Sequence, residues 1–260
     1  MKNNRILALS GNDIFSGGGL AADLATYTLN GLHGFVAMTC LTALTENGFE
    51  VFPTDETIFQ QQLDSLKSVD FGGIKIGLLP TVGVAEKALN FIKERTGVPV
   101  VLDPVLVCKE THDVAVSELC QELIRFFPYV TVITPNLPEA EEIVGFSIHD
   151  PEDMQRAGRL ILKEFGPQSV VIKGGHLEGG AKDFLFTKED QFVWESPRIQ
   201  TCHTHGTGCT FAAVITAELA KGKSLYQAVD KAKAFITKAI QDAPQLGHGS
   251  GPVNHTSFKD

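Results

Sequence analysis

Runs of β-branched and aliphatic residues alternate along this 260-residue chain with segments of helical period. That alternation is the signature of βα units wound around a mostly parallel sheet. Strands are expected at residues 5–9, 35–41, 73–76, 100–102, 130–133 and 169–173, most of them too apolar to keep a wet face. Between them, Phe59, Leu63 and Leu66 mark one helical stripe, and Ala85, Ala88, Leu89 and Ile92 a second. Val116, Leu119, Cys120, Leu123 and Phe127 mark a third, and Met154, Ala157, Ile161 and Phe165 a fourth. Residues 181–186 and 191–194, separated by Thr187-Lys188-Glu189-Asp190, read as a hairpin forming an antiparallel edge. The rest is helical: residues 210–219, a stop at Lys221-Gly222-Lys223, then a stripe of Leu225, Ala228, Val229, Ala232, Ile236 and Ile240. No repeat or low-complexity linker divides the chain, so residues 1–260 are expected to form one α/β domain.

In an open α/β sheet the ligand site lies beyond the carboxyl ends of the strands. The strongest signal there is Thr204-His205-Gly206-Thr207-Gly208-Cys209, where two glycines open into a helix. Glycine lets consecutive N–H groups point inward, and the helix start adds about half a positive charge, which suits a phosphate. The bland alternative is a glycine turn before an ordinary helix. Cys209, in the first turn, is expected to have a lowered pKa. Cys202, His203, His205 and Cys209 also offer four soft ligands for zinc, but structural zinc usually draws on two knuckles far apart in sequence.

Gly17-Gly18-Gly19-Leu20-Ala21-Ala22 satisfies a loose dinucleotide fingerprint, yet the six residues Gly11 to Ser16 intervene after the first strand and no acid follows at the right distance. The other reading is that Gly11 and this loop leave room for a small ligand, with Asp23 on the helix beneath. Asp103 ends one strand, and Thr134-Pro135-Asn136-Leu137-Pro138-Glu139 ends another. Asn136 and Glu139 share a face of a short helix and, with Asp103, are candidate ligands of a hydrated Mg²⁺. Read blandly, Asp103 is a turn former and Glu139 a partner of the helix dipole. Lys173-Gly174-Gly175-His176 places an ammonium beside glycines, again suited to phosphate.

Composition narrows the field. Lys plus Arg number 22 against 31 Asp plus Glu, a net charge of −9, with no basic block, so nucleic-acid and anionic-membrane binding are not expected. Only four apolar residues, Ile6 to Leu9, precede Ser10, too few for a secretory leader, and no run approaches a membrane span. Five cysteines without a CxxC argue against a disulfide framework and for a reducing cytoplasm.

Taken in order, Ser10-Gly11-Asn12-Asp13, the glycine loop with Ala22-Asp23-Leu24, Ile74-Lys75-Ile76-Gly77, Asp103-Pro104-Val105, Thr134 to Glu139, Ile172 to His176 and His205 to Cys209 resemble the ribokinase-like family. Within it the chain is similar to the vitamin kinases that phosphorylate pyridoxal or hydroxymethylpyrimidine. The resemblance implies a three-layer sandwich, ATP with Mg²⁺, phosphoryl transfer to a hydroxymethyl group, vitamin B6 salvage where the acceptor is pyridoxal, and a homodimer. It assigns Asn136 and Glu139 to Mg²⁺ and phosphate, Lys173 and His176 to the nucleotide, and Gly206, Thr207, Gly208 and Cys209 to the anion hole. Cys209 stands where the wider superfamily usually has an aspartate base. Cys108 matches a second cysteine, on a flap over the substrate, in one subset of these kinases. Gly11, Asp23, Leu44 and Cys108 are the expected substrate contacts, and Ala43-Leu44-Thr45-Glu46 lacks the polar side chain that pyrimidine kinases of this type carry there, which favours pyridoxal. Some members are bifunctional. A non-catalytic B6-vitamer binding protein is the alternative of another class, opposed by Asn136, Glu139 and Lys173, which a binder does not need.

Overall fold

The computed structural model describes residues 3–106, 114–175, 180–244 and 251–258. The first half contains β1 (Arg5–Ser10), α1 (Gly19–Leu29), β2 (His33–Met38), β3 (Cys40–Thr45), β4 (Gly48–Pro53), α2 (Glu56–Ser65), β5 (Gly73–Ile76), α3 (Val82–Lys93), β6 (Val100–Leu102) and α4 (Val114–Ile124). Then follow β7 (Val132–Ile133), α5 (Leu137–Val144), α6 (Pro151–Leu160), β8 (Val170–Gly174), β9 (Ala181–Phe186), β10 (Gln191–Ser196), α7 (Thr207–Ala220) and α8 (Leu225–Gln241). Eight strands form one sheet in the order β10-β9-β8-β7-β6-β5-β1-β2. It is parallel from β2 through β8, and β9 and β10 add the expected antiparallel edge.

Both faces are covered. Alternation along β1 sends Leu7 and Leu9 into a core shared with Phe59, Ile76 and Leu89, while Ile6 and Ala8 pack on the other side with Ala213 and Ala217 of α7. β6 divides in the same way, Val100 and Leu102 to the first core and Val101 to a core with Val214, Ala232 and Phe235. All four residues of β5 are buried, including the charged Lys75. Strand order reverses at β1 and β5, which opens the ligand crevice beside the ends of those strands.

One expected strand is two. The run 35–41 breaks at Thr39, whose Oγ1 donates to the Leu78 carbonyl and whose backbone bonds Ser10 and Thr54. β2 therefore stays in the main sheet, whereas β3 leaves it and pairs antiparallel with β4 as a separate two-stranded sheet. Asn47-Gly48 at its turn, with Gly48 at φ 105°, is the signal that marks this hairpin in the sequence. α7 starts three residues earlier than expected, at Thr207.

Helix starts differ in a way that concerns the site. α2, α3, α5, α6 and α8 begin with side-chain caps from Asp55, Thr81, Asn136, Asp150 and Ser224. α1 and α7 begin at Gly18 and Gly206 with no side-chain cap. Those two starts meet at the carboxyl edge of the sheet.

Candidate active site

Gly206 adopts φ 86°, and a Cβ there would collide with the Gly17 carbonyl, so the α7 start and the glycine loop are in backbone contact. The Asp13 carboxylate fastens the two together. Its Oδ2 accepts from Gly18 N at 2.6 Å and lies 2.6 Å from His205 Nε2, while its Oδ1 accepts from Phe15 N at 3.0 Å. Burial pushes the Asp13 pKa up, but the His205, Gly18 and Phe15 hydrogen bonds outweigh it and hold the carboxyl at about 2.

Beside α7 lies a cation. Lys173 Nζ is 3.3 Å from where a Gly208 Cβ would stand, and it donates to Asp103 Oδ1 at 2.8 Å. An uncapped helix start with an adjacent ammonium is a cradle for a phosphoryl oxygen. Thr134 Oγ1 donates to the same Asp103 oxygen at 2.8 Å. Asp103, expected as a metal ligand, is thus the counter-ion of Lys173. Asn136 Oδ1 accepts from Glu139 N at 2.9 Å and Glu139 Oε2 accepts from Asn136 N at 2.8 Å, a reciprocal capping box. Burial, with the Asp103 charge adding to it and Lys173 opposing, raises the Glu139 pKa to about 7.

This geometry has counterparts among known proteins. The profile of a family described as phosphomethylpyrimidine kinase matches residues 13–254. A hydroxymethylpyrimidine/phosphomethylpyrimidine kinase of Staphylococcus aureus (strain MRSA252) is 40% identical over 257 residues, covering 97% of this chain and 93% of the relative. Among solved structures, an ADP complex of Bacillus subtilis pyridoxal kinase superposes with a TM-score of 0.92 at 39% identity, covering 98% of each chain. Staphylococcus aureus pyridoxal kinase in complex with AMP-PCP and pyridoxal gives 0.91 at 31% identity, covering 99% of this chain and 95% of that one.

The chain belongs to the phosphomethylpyrimidine kinase family.

As a kinase of this family it carries the ribokinase-like sheet and a phosphotransferase activity, and several expected site residues take defined places in it. Cys209 is half-buried at the start of α7, and its thiol pKa is raised, not lowered. Removal from water is the main cause, with the Asp103 and Asp23 charges adding to it; Lys75 and a Gly19 backbone hydrogen bond pull the other way. The local benefit of a helix start is outweighed by burial among carboxylates. At Gly11 a Cβ would strike Cys40 Sγ, so the missing side chain serves that close approach within the protein. Cys40 is the buried apolar filler, its pKa pushed by burial to about 11. Gly17 and Gly19 likewise make room for the His205 ring and the Gly11 carbonyl. These contacts within the protein replace the dinucleotide reading of the loop.

Asp23, expected beneath the substrate, has no exposed surface and pairs with Lys75 Nζ at 2.6 Å. Leu44 lies on β3 and is 65% exposed. Cys108 and His176 fall outside the described residues. No group of three or more His, Cys, Asp or Glu side chains among the described residues is placed to hold a metal ion; of the soft ligands weighed above, His205 turns to Asp13 and His203 Nδ1 accepts from Gly251 N. No described helix is long and apolar enough to cross a membrane.

The Asp13 pair generates a prediction whose sign follows from its pKa. A carboxyl held below its ordinary value of 3.8 stabilises the fold above that pH and loses this contribution as pH falls toward about 2. Asp13→Asn is expected to lower stability at pH 7 by about 1.5–3 kcal/mol, the range for a hydrogen bond to a charged group. Urea unfolding at a series of pH values checks it: the gap between parent and variant narrows below pH 3.8, and a gap independent of pH would show that the charge of Asp13 is not what holds the loop.

Proposed function

We propose that this kinase transfers the γ-phosphoryl group of ATP to the 5′-hydroxymethyl group of pyridoxal. The carrying observation is the uncapped glycine start of α7 with Lys173 Nζ on one side and the Cys209 thiol in its first turn. Phosphoryl transfer needs positioning, charge neutralisation and a group to take the hydroxyl proton, and little covalent chemistry. The substrate oxygen attacks the γ-phosphorus, the bond to the β,γ-bridging oxygen breaks, ADP leaves, and the hydroxyl proton goes to Cys209 Sγ. The N–H groups of the α7 start and the Lys173 ammonium face the charge on the phosphoryl oxygens.

Mg²⁺ spreads charge over the phosphates when bound, and Glu139 and Asn136 are the residues that would hold it through its water shell. The donor set fits it, since a carboxylate and an amide oxygen are hard oxygen ligands, and a cation there would favour the ionised form of a carboxyl whose pKa burial raises. Asp103, occupied by Lys173, has the separate role of holding that ammonium at the cradle. The apolar Leu44 supports pyridoxal over a pyrimidine, whereas the 40% identity to a hydroxymethylpyrimidine kinase supports the second reading, a pyrimidine or bifunctional kinase. By the family resemblance, Cys108 is proposed as the flap thiol over the substrate. A homodimer is also proposed; Leu41, Leu44, Phe49 and Phe52 are exposed on the β3–β4 sheet and offer it an apolar surface, and a monomer in sedimentation velocity would reject it.

The deciding assay follows ADP release from Mg-ATP with pyridoxal, pyridoxine, pyridoxamine and hydroxymethylpyrimidine in turn. Highest kcat/KM with pyridoxal is expected; turnover of the pyrimidine alone would establish the second reading, and vitamer binding without ADP release would establish a binding protein.

A base whose pKa lies above 9.0 makes the rate rise with pH through the alkaline range, because only the thiolate accepts a proton. Cys209→Ala is expected to lose about 10²- to 10⁴-fold in kcat at little change in nucleotide affinity. Cys209→Asp should move the rising limb into the acidic range, where a carboxylate ionises. An alanine variant as fast as the parent would remove Cys209 as base.

Glu139→Gln keeps the capping box and removes the charge. The Mg²⁺ concentration for half-maximal rate should rise several-fold, and saturating Mg²⁺ should restore much of the activity by mass action. Unchanged Mg²⁺ dependence would leave Glu139 as a helix cap only.

A further inference from the structure

Lys75 and Asp23 form an ion pair with no exposed side-chain surface on either partner, 2.6 Å apart, and the mechanism above uses neither. Stability does not account for such a pair, since apolar residues of similar volume in its place are often neutral or stabilising. Its position is more informative. On β5, a Cβ at Gly73 would touch Thr216 and Ala220 of α7, so the alternation of the strand sends Lys75 to the same side, beneath α7. Its Nζ lies 3.3 Å from the Cβ position of Gly77, so the ammonium reaches along the strand to the carboxyl edge. Asp23 answers it from α1, and the start of α1 also meets the catalytic sulfur: Cys209 Sγ lies 3.5 Å from the Cβ position of Gly18. Tyr27, also on α1, is fully buried, with a hydroxyl that has no hydrogen-bond partner and a pKa raised by burial and by the charges of Asp23 and Cys209. The pair, the phenol and the sulfur thus share one seam between α1 and α7.

We infer that Lys75, held by Asp23, is a positioning residue that supplies the fixed positive charge facing the Cys209 thiolate from below the α7 start. The groups that face Cys209 are Lys75 from β5, Asp23 and Tyr27 from α1, Asp103 after β6, Lys173 from β8, and the Asp13–His205 pair through the glycine loop. Among the charges acting on the thiol, Lys75 has the largest effect, and it favours the thiolate; Asp103 and then Asp23 oppose it. Asp23 keeps the ammonium charged in a site that would otherwise discharge it, and the Lys75 pKa is accordingly raised.

The catalytic meaning rests on the kinase reading, but the first test does not. Cys209 is alkylated with iodoacetamide across a pH series and its peptide followed by mass spectrometry, in the parent, in Lys75→Met and in Lys75→Met/Asp23→Leu. The double variant leaves no buried charge unanswered and guards against a folding defect in the single one. The alkylation midpoint should rise by about one pH unit in Lys75→Met and by less, in the same direction, in the double variant. Midpoints equal to the parent's, or lower, overturn the inference. In kinase assays, Lys75→Met should lower kcat about tenfold near neutrality, with recovery as pH rises and nucleotide KM unchanged. A loss equal at every pH makes Lys75 a packing strut and also overturns it. Midpoints that move as stated in a parent without kinase activity would uphold the charge assignment and reject the function proposed above.

Discussion

An ionised group taken out of water costs several kcal/mol unless another charge answers it. The carboxyl edge of this sheet gathers four such groups, and each finds its opposite, Lys75 with Asp23 and Lys173 with Asp103, while the Asp13 carboxylate is held by His205 and the Gly18 N–H. The pairs join elements distant in the chain, β5 to α1, β8 to the end of β6, and the α7 start to the loop after β1. Electrostatic neutrality at the edge therefore also fixes where the two uncapped helix starts lie. The glycines complete the arrangement by letting backbones approach where a Cβ would collide, at Gly206 against Gly17 above all.

Much of the fold was legible because it rests on local regularities. Buried parallel strands are apolar on both faces, amphipathic helices repeat every three or four residues, and the edge hairpin alternates around a polar turn. The β3–β4 sheet was missed because residues 35–41 are continuously suited to a strand, and the break depends on Thr39. Its hydroxyl bonds a carbonyl 39 residues away, a partner that no window of sequence reveals. Asn47-Gly48 was the available signal for the turn that follows.

The candidate site divides along the same line. Glycines leading into a helix, a lysine followed by glycines at a strand end, and an asparagine three residues before a glutamate are short patterns, and all fall at the carboxyl edge. The pairs that charge and position them are not short: Asp13 and His205 are 192 residues apart, Asp103 and Lys173 are 70 apart, and Asp23 and Lys75 are 52 apart. Gly11 and Asp23 show what a short pattern leaves out: in the folded chain Cys40 Sγ packs where a Gly11 side chain would stand, and Lys75 answers the Asp23 charge.

Cys209 shows how the local and long-range effects compete at one atom. A helix start favours a thiolate, but the dipole acts over about one turn and is worth only fractions of a kcal/mol to about two. Burial and two nearby carboxylates act on the same proton and win, so the thiol pKa rises. An aspartate in that place would ionise more easily in water, but it would add a further negative charge beside Asp23 and Asp103. A thiol at the same place is neutral at rest, and only its thiolate fraction takes the hydroxyl proton and returns to the neutral thiol in doing so, which leaves the buried ion pairs undisturbed in the resting protein. The choice of cysteine is thereby tied to the carboxylates that surround it.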